Sequence, residues 1–238
     1  MDLIFRRDAY ATSTEATVTA VDERGITLDR TVFYATGGGQ SGDTGVLRHG
    51  GVEVRLAEAV KGDGPDTVIH VPEAGAVLPA VGSTVEVEID WDRRFAHMRM
   101  HTCLHLLCAV VPGAVTGGQI GADRSRLDFN VPSASLDKDE LTAALNRLIE
   151  GDHPVKYRWI ADAELEANPD LVRTMSVKPP TGTGQVRLVE IEGVDLQPCG
   201  GTHVGRTGEI GRVEVTKIEN KGKQNRRVVV ALAQTDEI

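Results

Sequence analysis

The apolar pattern of this chain changes abruptly at residue 91, and that change limits the folds it can adopt. Before it, stretches such as "EATVTAVDERGITLDRTVFY", "GVLRHGGVEVRLAEAV", "DTVIHV" and "STVEVEID" alternate apolar and polar residues between glycines and prolines. Alternation with a period of two is typical of strands that bury one face. Several short strands without a convincing helix predict a small β-barrel or sandwich over residues 1–90.

The remaining residues, 91–238, predict an α+β domain with helices packed on an antiparallel sheet. "DRRFAHMRMHTCLHLLCAVV" contains no glycine or proline and ends at a "PG" pair, as a helix does. "LDKDELTAALNRLIEGD" follows as a second helix, with Ser135 as its expected cap. "VKYRWI", "QVRLVEI", "GRVEVTKI" and "NRRVVVAL" have the pattern of strands, and "GGQIGADRSRLDFNV" that of a hairpin. The expected fold class of the whole chain is α+β.

Composition restricts the classes of function. The chain of 238 residues has a net charge of −9 and only 4% aromatic residues. Nucleic acid is therefore not attracted by bulk charge or held mainly by base stacking, and its binding would need a local basic patch. The sequence contains neither a membrane span nor the apolar core of a signal peptide. Three cysteines without a disulfide pattern favour the cytoplasm, and a monomer is slightly favoured although the sequence does not decide the oligomeric state.

Two separated pairs of residues supply the donors that zinc prefers. His101 and His105, in "HTCLHLL", lie one turn apart on the predicted helix, so both imidazoles can reach one ion. Such a pair alone is more often a surface or core feature than a metal site. Cys199 and His203, in "LQPCGGTHV", flank two glycines that favour a tight loop, although Cys199 alone is equally well explained as a buried apolar residue. Together the four residues predict a site for one zinc ion.

Several blocks of the sequence resemble a known family. "RRFAHMRMHTCLHLL", "RLDF", "VRLVEIEGVDLQPCGGTHVGRTGEIG" and "KGKQNRRV" are similar to the editing domain of alanyl-tRNA synthetases, and most of all to the free-standing AlaX alanyl-tRNA editing proteins. "TVFYATGGGQSGDTG" resembles the glycine-rich motif of the medium-length members, which carry a β-barrel before the catalytic domain. The resemblance runs from about Thr17 to about Leu232. It implies a small β-barrel as the fold of residues 1–90.

The resemblance also implies a reaction and its catalytic residues. The expected activity is hydrolysis of mischarged tRNA(Ala), above all seryl-tRNA(Ala) and secondarily glycyl-tRNA(Ala). His101, His105, Cys199 and His203 match the catalytic zinc set of the family. The chain departs from the synthetase pattern at Leu104, where a threonine is common, and this leaves the contact with the serine side chain open.

Two further stretches supply candidate substrate contacts. The glycine-rich stretch lacks the G-K-[ST] ending of a phosphate loop and no helix follows it, so a turn approached closely by another backbone is the better interpretation. The family resemblance implies that its residues face an editing cleft between the domains. In "AVTGGQIG", two polar residues are candidates for the serine hydroxyl contact, with a plain turn as an equal alternative. The candidate substrate-binding residues are Thr36, Gly38, Gly39, Gln40, Thr116 and Gln119.

A basic segment near the carboxyl end is the candidate tRNA contact. "TKIENKGKQNRRV" reads as a hairpin in which Glu219 is the only acid against five cations. A charged turn is usually just solvated, but in so acidic a chain phosphate contact is the better interpretation. The five cations are Lys217, Lys221, Lys223, Arg226 and Arg227. Three arginines before the histidine pair can add to this patch, namely Arg93, Arg94 and Arg99.

The chemistry leaves alternatives open. Zinc can lower the pKa of a water to roughly 7, or anchor the substrate while another group positions the water. Because four protein ligands normally mark a closed structural site, we expect either a weak fourth ligand, His203, or expansion to five ligands. Asp195 either orients a ligand histidine or ends a strand, and the second interpretation is slightly favoured. Cys103 and Cys108 are expected to pack in the core.

Three other functions compete with editing of tRNA(Ala). The editing domain of threonyl-tRNA synthetases has a similar histidine and cysteine pattern and removes serine from tRNA(Thr), but "GGGQ" and "CGGTHV" favour the alanyl type. A tRNA-binding module with a purely structural zinc would explain four closed ligands. A metallohydrolase for a small ester is the remaining alternative.

Overall fold

The computed structural model describes residues 1–131, 136–174 and 184–233. The chain divides into two compact units, Met1–Phe95 and Ala96–Ile238, which are called unit 1 and unit 2 below. The division falls inside the first α-helix, a little after residue 91. Across the described residues, no helix is both long and apolar enough to cross a membrane.

Unit 1 is built around a closed barrel of six strands. Its strands are β1 (Asp2–Leu3), β2 (Ser13–Asp22), β3 (Gly25–Leu28), β4 (Arg30–Thr31), β5 (Gly45–His49), β6 (Val52–Lys61), β7 (Val68–Pro72) and β8 (Thr84–Ile89). The barrel order is β2–β3–β7–β6–β5–β8, with every neighbouring pair antiparallel. The predicted small β-barrel is therefore confirmed.

The apolar side chains of the predicted alternating pattern fill the interior of the barrel. In β8, Val85, Val87 and Ile89 are buried while the side chains between them are exposed or half-buried. Successive side chains of a strand point to opposite faces, so each strand sends every second residue inward. Fully burying one such side chain contributes about 1.5–3 kcal/mol. The barrel interior is thus a packed apolar core.

A buried ion pair connects the first turn of the first helix to the rest of unit 1. The Arg94 side chain is fully buried, and its guanidinium is hydrogen-bonded to both carboxylate oxygens of Asp43. It also donates to the carbonyls of Ala9, at 2.9 Å, and Val32, at 2.6 Å. Because this cation is enclosed and paired, the prediction that Arg94 adds to a tRNA-binding patch is wrong.

Unit 2 combines three α-helices with two antiparallel sheets in its described residues. The helices are α1 (Trp91–Val110), which begins in unit 1, α2 (Lys138–Glu150) and α3 (Asp162–Ala167). One sheet has the order β14–β15–β10–β9 and the other β11–β12–β13. Their strands are β9 (Ala114–Gln119), β10 (Arg124–Asn130), β11 (Val155–Ala161), β12 (Gln185–Ile191), β13 (Asp195–Pro198), β14 (Val213–Asn220) and β15 (Asn225–Leu232). The predicted α+β class is confirmed.

Helix α2 packs on the four-stranded sheet through its apolar face and one amide. Leu141 and Leu145 are buried, as the spacing predicts, and Ile149 is buried beside them, whereas Leu148 is only half-buried. The Asn146 side chain donates to the carbonyl of Val213 and accepts from its N–H, at 2.9 and 3.0 Å. The cap is Asp137, whose carboxylate accepts from two backbone N–H groups of the first turn. Ser135, the predicted cap, lies outside the described residues.

The barrel contains a histidine that is held neutral. His70 is fully buried, with its Nε2 2.8 Å from the Thr31 hydroxyl and its Nδ1 3.0 Å from the carbonyl of Ile26. A carbonyl only accepts, so Nδ1 carries the proton and Nε2 accepts from the hydroxyl. Burial lowers the pKa of His70 to about 4. The unfolded chain, whose histidine titrates near 6.5, therefore binds an extra proton between the two values.

We predict that acid destabilises the protein through His70. Between pH 7 and pH 5, the free energy of unfolding of the wild type should fall by about 2 kcal/mol more than that of His70→Gln. The loss should begin near pH 6.5 and level off below the folded pKa of about 4. Urea denaturation at a series of pH values measures both proteins. Parallel curves for the two proteins would contradict the prediction.

Candidate metal centre

Helix α1 carries the first half of the candidate site. His101 and His105 lie on the same face because residues four apart are neighbours on a helix. Both are buried, and their ring centroids are 5.5 Å apart. The helix therefore presents two imidazoles side by side to the loop that follows β13.

That loop carries the second half, and a buried arginine shapes it. The Cys199 N–H donates to the carbonyl of Arg187 at 3.1 Å. The Arg187 guanidinium in turn donates to the carbonyls of Cys199 and Gly201, at 2.9 and 2.8 Å, and lies 3.8 Å from the ring centroid of Tyr157. Sequence reasoning missed Arg187. The signal was a single arginine between the apolar residues Val186 and Leu188 in "QVRLVEI".

The two halves meet in a compact donor cluster. One ligand atom from each of His101, His105, Cys199 and His203 lies within 4.8 Å of all the others. The Cys199 Sγ is 3.4 Å from Nε2 of His101 and 3.3 Å from Nε2 of His203. A tetrahedral zinc ion separates its sulfur and nitrogen ligands by about 3.5 Å, since its bonds are about 2.3 and 2.0–2.1 Å long. The donor chemistry and spacing therefore fit zinc.

An acidic residue fixes the orientation of His105. The Asp195 carboxylate lies 3.0 Å from Nδ1 of His105 and accepts a hydrogen bond of 2.7 Å from the Gln197 side chain. A carboxylate only accepts, so Nδ1 carries the proton and Nε2 is left for a metal. Asp195 is also the first residue of β13. Asp195 therefore begins a strand rather than ending one, and its contact with His105 agrees with the interpretation that the sequence favoured less.

A threonine fixes the orientation of the His203 ring. The Thr102 hydroxyl donates to the carbonyl of Met98 at 2.9 Å and accepts from the N–H of Val204 at 3.3 Å. Because its only proton is used, the Nδ1 of His203, 3.1 Å away, is the donor to this oxygen. Nε2 of His203 is then free to face the cluster. The fully buried His203 is held as firmly as His105, and the geometry gives no reason to single it out as the weak ligand.

The electrostatics of the cluster favour a cation. Burial raises the pKa of Cys199, but the electrostatic effect of the neighbouring His101 and His203 rings and a hydrogen bond to His101 lower it well below its usual value. Burial lowers the pKa of His105, yet its hydrogen bonds to Asp195 and Cys199 raise it to about 9. Burial, together with the electrostatic effect of the neighbouring His101 ring, lowers the pKa of His203 well below its usual value. A metal ion can replace the protons that such a cluster holds, so its binding should weaken in acid.

The other two cysteines lie outside the cluster. Cys103 and Cys108 are buried on α1, and burial raises the pKa of each thiol to about 12. Neutral buried thiols are chemically inert and pack as small apolar groups.

The two candidate residues of β9 have their contacts within the four-stranded sheet. The Thr116 hydroxyl lies 3.1 Å from the carbonyl of Asp128 and 3.1 Å from the side-chain oxygen of Asn225. Gln119 is exposed, and its side-chain oxygen accepts from Arg126 at 3.4 Å. The stretch is a strand rather than a plain turn, and a role for either residue in serine recognition stays a prediction.

The glycine-rich loop is a tight turn in unit 1. Gly37 and Gln40 exchange two backbone hydrogen bonds of 3.0 Å, across a turn in which Gly38 and Gly39 have φ values of 58° and 85°. Residues other than glycine rarely adopt such positive φ values. A Cβ on Gly42 would lie 2.1 Å from the carbonyl of Ala59, so this position requires the close backbone approach that the sequence indicated.

The side chains of this loop are held within unit 1. The Thr36 hydroxyl accepts from the N–H of Gly42 and donates to Glu58, each at 2.7 Å, and Gln40 is buried. Their role in binding substrate stays a prediction.

The basic hairpin, formed by β14 and β15, is less positive than the sequence suggested. Lys217 and Lys221 both pair with Glu219, at 2.6 and 3.5 Å. Arg227 pairs with both carboxylate oxygens of Asp128, in the neighbouring strand β10, at 2.7 and 2.8 Å. The expectation that only Glu219 opposes the five cations is therefore wrong. The register of β10 against β15, which sequence does not reveal, brings the second acid there.

The remaining cations of the predicted patch differ in exposure. Lys223 is exposed at the turn, and Arg226 donates to the carbonyls of Gly222 and Asn225. Arg93 donates to the carbonyl of Gly42 at 3.3 Å, and Arg99 to that of Ile210 at 2.8 Å.

Two family models match parts of the chain. One, described as the threonyl and alanyl tRNA synthetase second additional domain, matches residues 186–229, which include the Cys199 loop. The other, described as tRNA synthetases class II (A), matches residues 7–93.

Similarity to individual proteins extends over nearly the whole chain. It is 38% identical to the alanyl-tRNA editing protein AlaX-M of Methanosarcina acetivorans, over 97% of this chain and 98% of that protein. It is 34% identical to AlaX-M of Saccharolobus solfataricus, over 94% and 96% of the two chains. It is also 34% identical to the alanine–tRNA ligase of Pyrobaculum aerophilum, over 91% of this chain but 25% of the ligase.

We predict that Asp195→Asn weakens zinc binding by about 10- to 100-fold, because the amide holds the His105 ring less firmly and leaves its nitrogen less basic. Competition with a chromophoric chelator measures the affinity. Asp137→Asn, which also keeps a capping side chain at the start of α2, is the matched control and should bind zinc like the wild type. Equal affinity in all three proteins would show that Asp195 does not support the metal.

Proposed function

The chain belongs to the family of AlaX-M alanyl-tRNA editing proteins, and from this premise we propose that it hydrolyses mischarged tRNA(Ala) in trans. Seryl-tRNA(Ala) is the proposed main substrate and glycyl-tRNA(Ala) the second. The observation that carries this proposal is the cluster of three histidines and one cysteine, assembled from two segments about a hundred residues apart. The product is the free amino acid and a tRNA that can be charged again.

Zinc is the proposed cofactor, held by His101, His105, Cys199 and His203. When bound, it supplies Lewis-acid chemistry, which polarises an ester carbonyl or lowers the pKa of a water to about 7. The protein keeps the histidine nitrogens aimed at the ion through the hydrogen bonds that Asp195 and Thr102 make. Cys199 is half-buried whereas the three histidines are buried, so the substrate ester is expected to approach from the Cys199 side.

Selection of serine over alanine has a simple physical basis. A pocket that hydrogen-bonds the serine hydroxyl leaves its own polar groups unpaired when alanine enters, and the resulting penalty can reach about 10⁴-fold. Leu104 is buried on α1 and offers no hydroxyl for this contact. We propose that the contact comes instead from Thr116 and Gln119.

A tRNA-binding module with a structural zinc is the second candidate function. It is favoured by one observation, the supply of four protein donors with firmly held rings, which is typical of closed zinc sites. A structural ion takes the fold with it when removed, whereas a catalytic ion can leave a folded and inactive protein.

We predict that the protein releases serine from seryl-tRNA(Ala) and leaves alanyl-tRNA(Ala) and seryl-tRNA(Thr) intact. Cys199→Ala should reduce the rate by about 100-fold or more, because Lewis-acid stabilisation contributes several kcal/mol to the transition state. Cys103→Ala makes the same change at a cysteine outside the cluster and should remain active. Release of labelled serine measures the rate, and circular dichroism checks that each variant folds.

Other outcomes would support the competing functions. Release from seryl-tRNA(Thr) instead would identify threonyl-type editing. Turnover of a small serine ester at the same rate without any RNA would identify a small-ester hydrolase. If no substrate is hydrolysed, tRNA still binds tightly and a chelator unfolds the protein, the zinc is structural.

We predict that Lys223 contributes to tRNA binding and that Arg227 stabilises the four-stranded sheet. Lys223→Ala should reduce the slope of log K against log salt by about 0.9, the value expected for one lost phosphate contact. Arg227→Met should chiefly lower stability, since it leaves Asp128 without its bidentate partner. Filter binding across a salt series and thermal unfolding separate the two effects. An unchanged slope for Lys223→Ala would remove Lys223 from the proposed tRNA surface.

A further inference from the structure

One face of the three-stranded sheet carries the side chains that support the metal cluster. Opposed residues of paired strands point to the same face, and side chains alternate along each strand. The register pairs Trp159 with Arg187 and Tyr157 with Val189, and Val189 in turn pairs with Gln197. The residues of this face include Tyr157, Trp159, Arg187, Val189, Asp195 and Gln197.

A single row of residues crosses this sheet from the cluster towards its far strand. Cys199 follows β13 and donates its N–H to the carbonyl of Arg187, which is directly opposite Trp159 in β11. Neighbouring strands are about 4.8 Å apart, so the backbones of Cys199 and Trp159 are separated by about 10 Å. The row therefore begins at a metal ligand, passes through a buried guanidinium and ends at an indole.

The indole at the end of this row is exposed. Trp159 has 47% of its surface accessible, whereas Arg187 beside it has 4%. The opposite face of the sheet is covered by an apolar cluster that includes Ile160, Val186 and Leu188. Trp159 thus takes no part in that core. A large exposed aromatic side chain next to a candidate catalytic site is a surface on which a flat ligand can stack.

We propose that Trp159 is the stacking platform for the terminal adenine of the tRNA acceptor end. This inference rests on the proposed function, because it takes the aminoacyl ester to lie at the metal cluster. The ester and the adenine are attached to the same ribose, so the base must lie one sugar ring away from the cluster. The row places an aromatic face at a separation of that order. Stacking on tryptophan needs no particular hydrogen-bond pattern, which suits a nucleotide that all tRNAs share.

The test measures whether the preference of the protein for RNA with a terminal adenine depends on the Trp159 indole. The dissociation constant is measured for two uncharged acceptor-stem RNAs, one ending in adenosine and one ending in an abasic ribose. The zinc-loaded wild type should bind the adenosine form about tenfold more tightly. Trp159→Phe should keep this preference within about threefold, and Trp159→Leu, which is apolar without a ring, should lose it. Tyr10→Leu, the same kind of change at an exposed aromatic residue of unit 1, is the control and should keep it.

The outcomes separate this proposal from the proposed function. Serine release by the wild type, together with an adenine preference that survives in Trp159→Leu, would overturn the subsite and leave the editing activity standing. Failure of the wild type to release serine would remove the editing function. An adenine preference lost only in Trp159→Leu would then still support the subsite, since the binding assay uses uncharged RNA. A wild-type dimer that Trp159→Leu converts to a monomer, with unchanged RNA binding, would assign the indole to self-association and overturn the proposal.

Discussion

The candidate metal centre depends on the hydrogen bonds that Arg187 makes to the carbonyls of Cys199 and Gly201. Two glycines between the cysteine and the histidine give this loop the freedom to turn, and the guanidinium removes that freedom again in the folded state. A buried cation is costly unless it is well paired. Here charge-assisted hydrogen bonds from one guanidinium nitrogen to two backbone carbonyls, together with the face of Tyr157, offset part of that cost.

Two histidines of the centre are likewise held in place by hydrogen bonds to neighbouring polar side chains. Asp195 and Thr102 each bind the Nδ1 of one histidine, and each belongs to a different structural element, a strand and a helix. Helix, sheet and loop therefore meet at one point. The apolar packing around them keeps water from competing for these hydrogen bonds, which makes each of them stronger than at a surface.

Some of this structure could be predicted from the sequence because it is encoded locally. The alternation in stretches such as "TVEVEI" fixes which side chains of β8 face the barrel core, and the spacing of His101 and His105 fixes their shared face on α1. The donor set could be assembled from residue types alone, and the family resemblance joined its halves. The partners of Arg94 and Arg227 could not be predicted, because Asp43 and Asp128 reach them only through tertiary packing and strand register. The same holds for Trp159, whose place in the row is set by the pairing of β11 with β12.

The order of the elements along the chain also bears on how the molecule forms during synthesis. The barrel closes when β8 pairs with β2, so unit 1 can complete its sheet before most of unit 2 has been made. Helix α1 follows immediately, but its histidines must wait for a cysteine 98 residues further along than His101. Contacts this distant in sequence form late, since a long loop must close first. The candidate metal cluster is therefore expected to be among the last parts of the protein to assemble on the ribosome.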